Sequence, residues 1–75
     1  MADVTIDTKG QNCPIPVLHT KRAMKDLGDG GTVEILATDP GSVPDFEAYC
    51  RATGNELLES EEESGVYRFV IKKVA

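Results

Sequence analysis

One cysteine stands directly ahead of two prolines, Cys13-Pro14-Ile15-Pro16, after a short alternating segment and before a long amphipathic one. That spacing puts the thiol at the first residue of a helix, with Cys13 as N-cap and Pro14 at the first helical position, where proline is favoured. Cysteine is a poor cap beside Ser, Asp or Asn. A sulfur at the positive end of a helix dipole is placed for reactivity, because that end favours the thiolate. The prolines delete two of the unpaired N–H groups at the helix start, leaving the Ile15 N–H and the dipole to stabilise the anion. A moderately lowered thiol pKa follows. It suits a sulfur that must both attack and be attacked, since nucleophilicity falls as the thiol pKa falls.

The other reactive side chains offer Cys13 little help. Cys50 falls in a second helical segment, about 12 Å along its axis from Ser42, and helical spacing puts it beside Phe46 and Tyr49 as a core thiol. It is expected to be too far from Cys13 to bridge, and no C-x-x-C pair is present. His19, the single histidine, lies on a helix leading away from the thiol and is expected at the surface, beyond the reach a general base needs. Two cysteines and one histidine at these spacings match no zinc pattern. No metal and no cofactor is implied, and without a base the thiol is not expected to form an enzyme active site on its own.

The elements that must position Cys13 follow from the periodicities. Val4 and Ile6 alternate with polar residues as a short strand would, and residues 8–12, with Gly10 among them, read as a loop. Residues 14–27 read as a helix with Val17, Thr20, Met24 and Leu27 near one face, ended by Gly28, Gly30 and Gly31 through positive φ. Residues 32–38 form the next strand, and Asp39-Pro40-Gly41 turns the chain. Ser42 is the expected N-cap of a second helix, with Asp45 completing a short capping box and Gly54 as the stop. Residues 55–60 and 66–74 are strands, joined by a hairpin loop over residues 61–65. Tyr67, Phe69 and Ile71 share one face of the last strand.

The order is β-α-β-α-β-β, which predicts an α/β fold: a two-layer α/β sandwich, its mixed four-stranded sheet carrying both helices on one face. The first two strands are joined by a helix and should be parallel by the right-handed crossover rule. Cys13 and Asp39 then follow strands that end at one edge of the sheet, the edge where ligands bind in open α/β sheets.

With 75 residues the chain is read as a single domain, burying about 60% of its unfolded surface and leaving no room for a deep substrate cavity. Net charge is −5, which argues against direct nucleic-acid binding. Yet from Lys9 to Lys25 every charge is basic (Lys9, Lys21, Arg22, Lys25). Lys21 and Arg22 are therefore candidates for docking an acidic partner beside the thiol. The start lacks the basic and long apolar regions of a secretory signal, and no apolar stretch reaches the roughly 20 residues a bilayer span needs. A cytoplasmic location, with both thiols reduced and no membrane contact, is the expectation.

These residues resemble the TusA-type (SirA-like) sulfur carriers with a CPxP motif. The resemblance runs from Asp7 and Gly10 through Asn12-Cys13-Pro14-Ile15-Pro16 and Lys21-Arg22. It continues in the Thr38-Asp39-Pro40 turn, Cys50 and the closing run from Tyr67 to Lys73. It implies a persulfide on Cys13, supported by Pro14, Ile15, Pro16 and Asp39. The implied donor is a cysteine desulfurase or rhodanese, and the receiver a sulfur-accepting protein. The implied destinations are tRNA 2-thiolation, molybdenum cofactor assembly or sulfur oxidation, with the chain a monomer when free. Two readings of other classes stand beside it. One is a redox-sensing regulatory or interaction module using the Cys13 thiol. The other is an RNA-binding domain, disfavoured by the acidic charge and the lack of an aromatic platform.

Overall fold

The computed structural model describes residues 3–11 and 15–74. Its elements run β1 (Val4–Thr8), α1 (Ile15–Asp26), β2 (Thr32–Ala37), α2 (Ser42–Thr53), β3 (Glu56–Glu63) and β4 (Val66–Lys72). The sheet order is β1-β2-β4-β3. β1 pairs parallel to β2, with Thr8 opposite Ala37, and the β2–β4 and β4–β3 pairs are antiparallel. This is the expected mixed sheet with two helices.

One face of the sheet carries the core. Val33, Ile35 and Ala37 of β2 and Phe69 and Ile71 of β4 are wholly buried, together with Phe46 of α2, while Val17 and Met24 of α1 close the layer. The Phe46 and Phe69 rings lie 4.6 Å apart, tilted by 33°, within the separation at which aromatic pairs add to the burial term. The intervening residues of β2 and β4, Glu34, Leu36 and Arg68 among them, point to the other face by the two-residue alternation of strands. Val70 on that face is buried all the same. It sits on a central strand between Glu34 of β2 and Glu59 of β3.

Three expectations about ends and turns are corrected. Ser42 is not the N-cap of α2; Gly41 holds that place in the right-handed helical region, with no side-chain cap. The Asp39-Pro40-Gly41 turn winds straight into the helix, the Ser42 N–H donating to the Asp39 carbonyl at 3.0 Å. The buried Ser42 hydroxyl donates to that same carbonyl, so it does not cap, and Asp45 completes no capping box. Gly54 does stop α2 in the left-handed region, its N–H donating to the Cys50 carbonyl at 2.9 Å.

The end of α1 differs as well. Of Gly28, Gly30 and Gly31 only Gly30 takes a positive φ. The carbonyls of Met24 and Leu27 instead accept from the Lys73 ammonium, at 2.7 and 2.8 Å. A cation at a helix C-terminus satisfies orphan acceptors and meets the negative end of the dipole.

The hairpin loop is shorter than expected. β3 continues through Glu61, Glu62 and Glu63, leaving Ser64 (φ 53°) and Gly65 (φ 83°) as a two-residue connection. Positive φ at both positions is the signature of a type I′ turn, whose twist matches that of the paired strands. The Glu62 carboxylate accepts the Gly65 N–H at 2.8 Å, and Arg68 on the facing strand bonds Glu61 at 2.9 Å, Glu59 at 2.8 Å, and Glu34. The carboxylates bonded to Arg68, Glu59 foremost, hold its guanidinium above its ordinary pKa.

Candidate functional site

The parallel register brings the carboxyl ends of β1 and β2 to one edge of the sheet. There the chain turns at residues 8–11, the Gln11 N–H donating to the Thr8 carbonyl at 3.1 Å. Gly10, at φ 85°, occupies a conformation that side chains rarely adopt. Two threonines fasten this turn. The Thr8 hydroxyl, wholly buried, donates to the Leu36 carbonyl at 2.7 Å. The Gly10 N–H crosses to Thr38 Oγ1 at 2.9 Å. Asp7 adds a local turn, its Oδ1 accepting the Lys9 N–H at 3.0 Å.

Cys13 and Pro14 lie outside the described residues, and with them the capping position expected for the thiol. The described chain reaches this edge at Gln11 and leaves it at Ile15, where α1 opens. Ile15 is 39% exposed, whereas the Pro16 ring is buried and its carbonyl accepts the Thr20 hydroxyl at 2.9 Å. Pro16 thus packs as part of the core, beyond any effect on the backbone under the thiol. Asp39 stands at the same edge beyond β2, its Oδ1 accepting the Gly41 N–H at 3.0 Å. That bond leads the chain into α2.

Lys21 and Arg22 are both exposed on α1 but serve different flanks. Lys21 borders a groove between the helices with Val17, Asp45 and Tyr49. Arg22 joins Ile15, Leu18 and His19 around a shallow depression. Leu18, 50% exposed, gives that flank an apolar component beside its charge. His19 is at the surface, as expected.

Cys50 is buried, 7% exposed, and burial pushes its thiol pKa up. Its neighbour Tyr49 is raised by the same cause, against a hydrogen bond with Asn55 that lowers it. A thiol disfavoured as thiolate is a poor nucleophile. Cys50 therefore belongs to the packing.

Sequence reasoning missed two contributors to this end of the domain. Thr38 was legible as the end of a strand and the start of the Asp39 turn, but not as the partner of the Gly10 N–H. The β3–β4 hairpin also closes at this edge, because Ala37 pairs with Tyr67 and Tyr67 with Glu62. Nothing in the local pattern signals that.

The molecule is thus a two-layer α/β domain whose described loops gather at the carboxyl edge of its parallel strands. The family model described as Sulfurtransferase TusA matches residues 4–73, and the chain belongs to that family. It is 48% identical over 71 residues to a sulfur carrier protein TusA of Allochromatium vinosum, covering 95% of this chain and 93% of the relative. It is 40% identical over 73 residues to the sulfur carrier protein TusA of Pseudomonas aeruginosa, covering 97% and 92%. The crystal structure of a SirA-like protein from Desulfitobacterium hafniense superposes with a TM-score of 0.83 at 34% identity, covering 96% of this chain and 99% of that one. Among the described residues no helix is long and apolar enough to cross a membrane.

Proposed function

We propose that this protein is a sulfur carrier that holds sulfane sulfur as a persulfide on Cys13. Membership of the TusA family, with relatives named as sulfur carriers, carries the reading. The Cys13-Pro14-Ile15-Pro16 motif adds to it, since in sequence it follows the turn at residues 8–11 and leads into α1. The buried Cys50, with its raised pKa, leaves Cys13 as the thiol suited to load.

In the transfer, the Cys13 thiolate attacks the terminal sulfur of a donor persulfide, and the donor's cysteine leaves as thiolate. The S–S bond formed on Cys13 replaces the one broken on the donor, with no net oxidation. In delivery, a nucleophile of the acceptor attacks the terminal sulfur and the Cys13 thiolate departs. The donor is a cysteine desulfurase or rhodanese, and the acceptor a second protein. Pro14, Ile15 and Pro16 set the backbone under the thiol, and Asp39 shapes the adjoining turn. The setting is the cytoplasm, where thiols are kept reduced, and the chain acts as a monomer between partners. The destinations implied by the resemblance (tRNA 2-thiolation, molybdenum cofactor assembly, sulfur oxidation) all need sulfur passed from protein to protein.

Mass measurement after incubation with a desulfurase and cysteine tests this. The expected result is a gain of one sulfur in the wild type and in Cys50→Ala, and none in Cys13→Ser. Loading that survives Cys13→Ser overturns it. A stable sulfenate on Cys13 formed without any donor would favour the redox-sensing module instead.

A further inference from the structure

The helices cover one face of the sheet and leave the other open. Next to the loop edge, that open face carries a depression floored by Leu36 and Val66 and rimmed by Glu61 and Glu63, with Arg68 at its inner side. Leu36 and Val66 are half-buried and both glutamates exposed. The single cation among these residues is already engaged: Arg68 is bonded to Glu34, Glu59 and Glu61. Its one positive charge is outnumbered by these three carboxylates together with Glu63, so the depression keeps a net negative field around an apolar floor. In the opposite layer, α1 presents Lys21, Arg22 and Lys25, all exposed.

We propose that this open-face depression is a second docking surface, fitted to a basic protein segment that sets one apolar side chain on Leu36 and Val66 and its Lys or Arg side chains against Glu61 and Glu63. Charge selects the occupant. A nucleic acid or an anionic lipid surface would be repelled by the rim, and a segment without a cation would leave its carboxylates facing apolar surface. Position gives the surface its use. Leu36 immediately precedes Ala37 at the end of β2, and the Glu63–Val66 pair closes the hairpin at the same edge as the turn at residues 8–11. A partner seated there approaches that edge from the side opposite α1. Two partners of opposite charge can thus address the edge through different faces of one small domain. This surface goes beyond the carrier reading and does not depend on Cys13 being loaded.

The test is an amide-shift titration of the full, unloaded chain with a synthetic Lys/Arg-rich peptide containing one leucine. The expected result is saturable shifts at Leu36, Glu61 to Val66 and Arg68, with α1 unmoved. Affinity should drop about tenfold in Glu61→Lys/Glu63→Lys, the size of loss a reversed charge pair produces, and clearly when the peptide leucine is replaced by serine. Glu63→Gln, at an exposed hairpin position, gives the same direction with less risk to the fold. Shifts spread over α2 and its Asp45 and Glu47, equal binding by the serine peptide, or no binding at low salt would each overturn the proposal. Sulfur loading is not read in this experiment, so its failure leaves the carrier reading untouched.

Discussion

The Gly10 N–H donates to Thr38 Oγ1 across the loop edge of the sheet, at 2.9 Å. It ties the turn that leads toward Cys13 to the exit of β2, the strand that also leads to Asp39. The two loops that sequence spacing assigns to one end of the domain are thereby joined by a bond as well as by register.

Thr38→Val keeps the shape of the side chain and removes the acceptor. The bond is solvent-exposed, so water replaces the lost partner and the cost to global stability is about 1 kcal/mol or less. The loop should respond more than the fold does. Hydrogen exchange at the Gly10 amide should rise well beyond what the change in unfolding midpoint explains, and sulfur loading should slow. Thr38→Ser, which retains the hydroxyl, should restore both. An unchanged Gly10 exchange rate would show that the turn holds itself.

Lys73 makes a longer connection, from beyond β4 to the carbonyls that close α1. Lys73→Met preserves much of the stem and removes both charge-assisted bonds. The expected loss is about 1–3 kcal/mol, a large share of the roughly 4–11 kcal/mol that a domain of this size possesses. A urea unfolding curve should show the midpoint falling with its slope unchanged. A midpoint equal to wild type would mean that solvent serves those carbonyls as well as the ammonium does.

These contacts mark where sequence reading succeeds and where it stops. Val33, Ile35, Phe69 and Ile71 betray their buried face by strict alternation, and Phe46 and Cys50 by helical spacing, so topology and core were legible. The parallel β1–β2 pair followed from chain handedness, and it placed the loops at residues 8–11 and 38–41 together. Glu61, Glu62 and Glu63 read as a loop because glutamate is a weak strand former; their pairing opposite the last strand keeps them extended. Lys73 meets α1 across more than forty residues of sequence, and no local signal carries such a contact. Lys21 and Arg22 are adjacent in sequence yet border different grooves, because successive helical residues diverge by about 100°.

The buried pair on α2 gives the protein an alkaline limit. Burial raises the pKa of both Cys50 and Tyr49 above their ordinary values. For each, the folded chain keeps its proton to higher pH than the unfolded chain does. The unfolded state therefore binds fewer protons above its own pKa, and stability falls as pH rises. Their contribution is fully present below about pH 8.5 and is lost progressively above it, first through the thiol and then through the phenol. Melting temperatures from pH 7 to 11 should be flat at first and then decline. Cys50→Val should delay the onset of that decline. A wild type that gains stability between pH 9 and 11 would contradict the assignment.

The basic residues of α1 offer the last test, one that bears on how donor and acceptor find the loop edge. Lys21 and Arg22 are exposed, so reversing both to Glu should disturb folding little; exposed charges contribute at most about 1 kcal/mol each. Association with a partner that carries an acidic surface should slow, with the change falling mainly on the on-rate and shrinking as salt is raised. Because the two side chains border different grooves, the single variants should separate the flanks. Lys21→Glu reports on the groove shared with Asp45 and Tyr49, and Arg22→Glu on the depression beside Ile15 and Leu18. Arg22→Glu is expected to have the larger effect, since its flank includes Ile15, at the start of α1 and close in sequence to Cys13, and offers exposed apolar surface for the partner to bury. Stopped-flow association of each variant with a cysteine desulfurase, at low and at high salt, measures this. A double variant that keeps the wild-type on-rate at low salt would reduce the basic stretch to an ordinary solvated helix face.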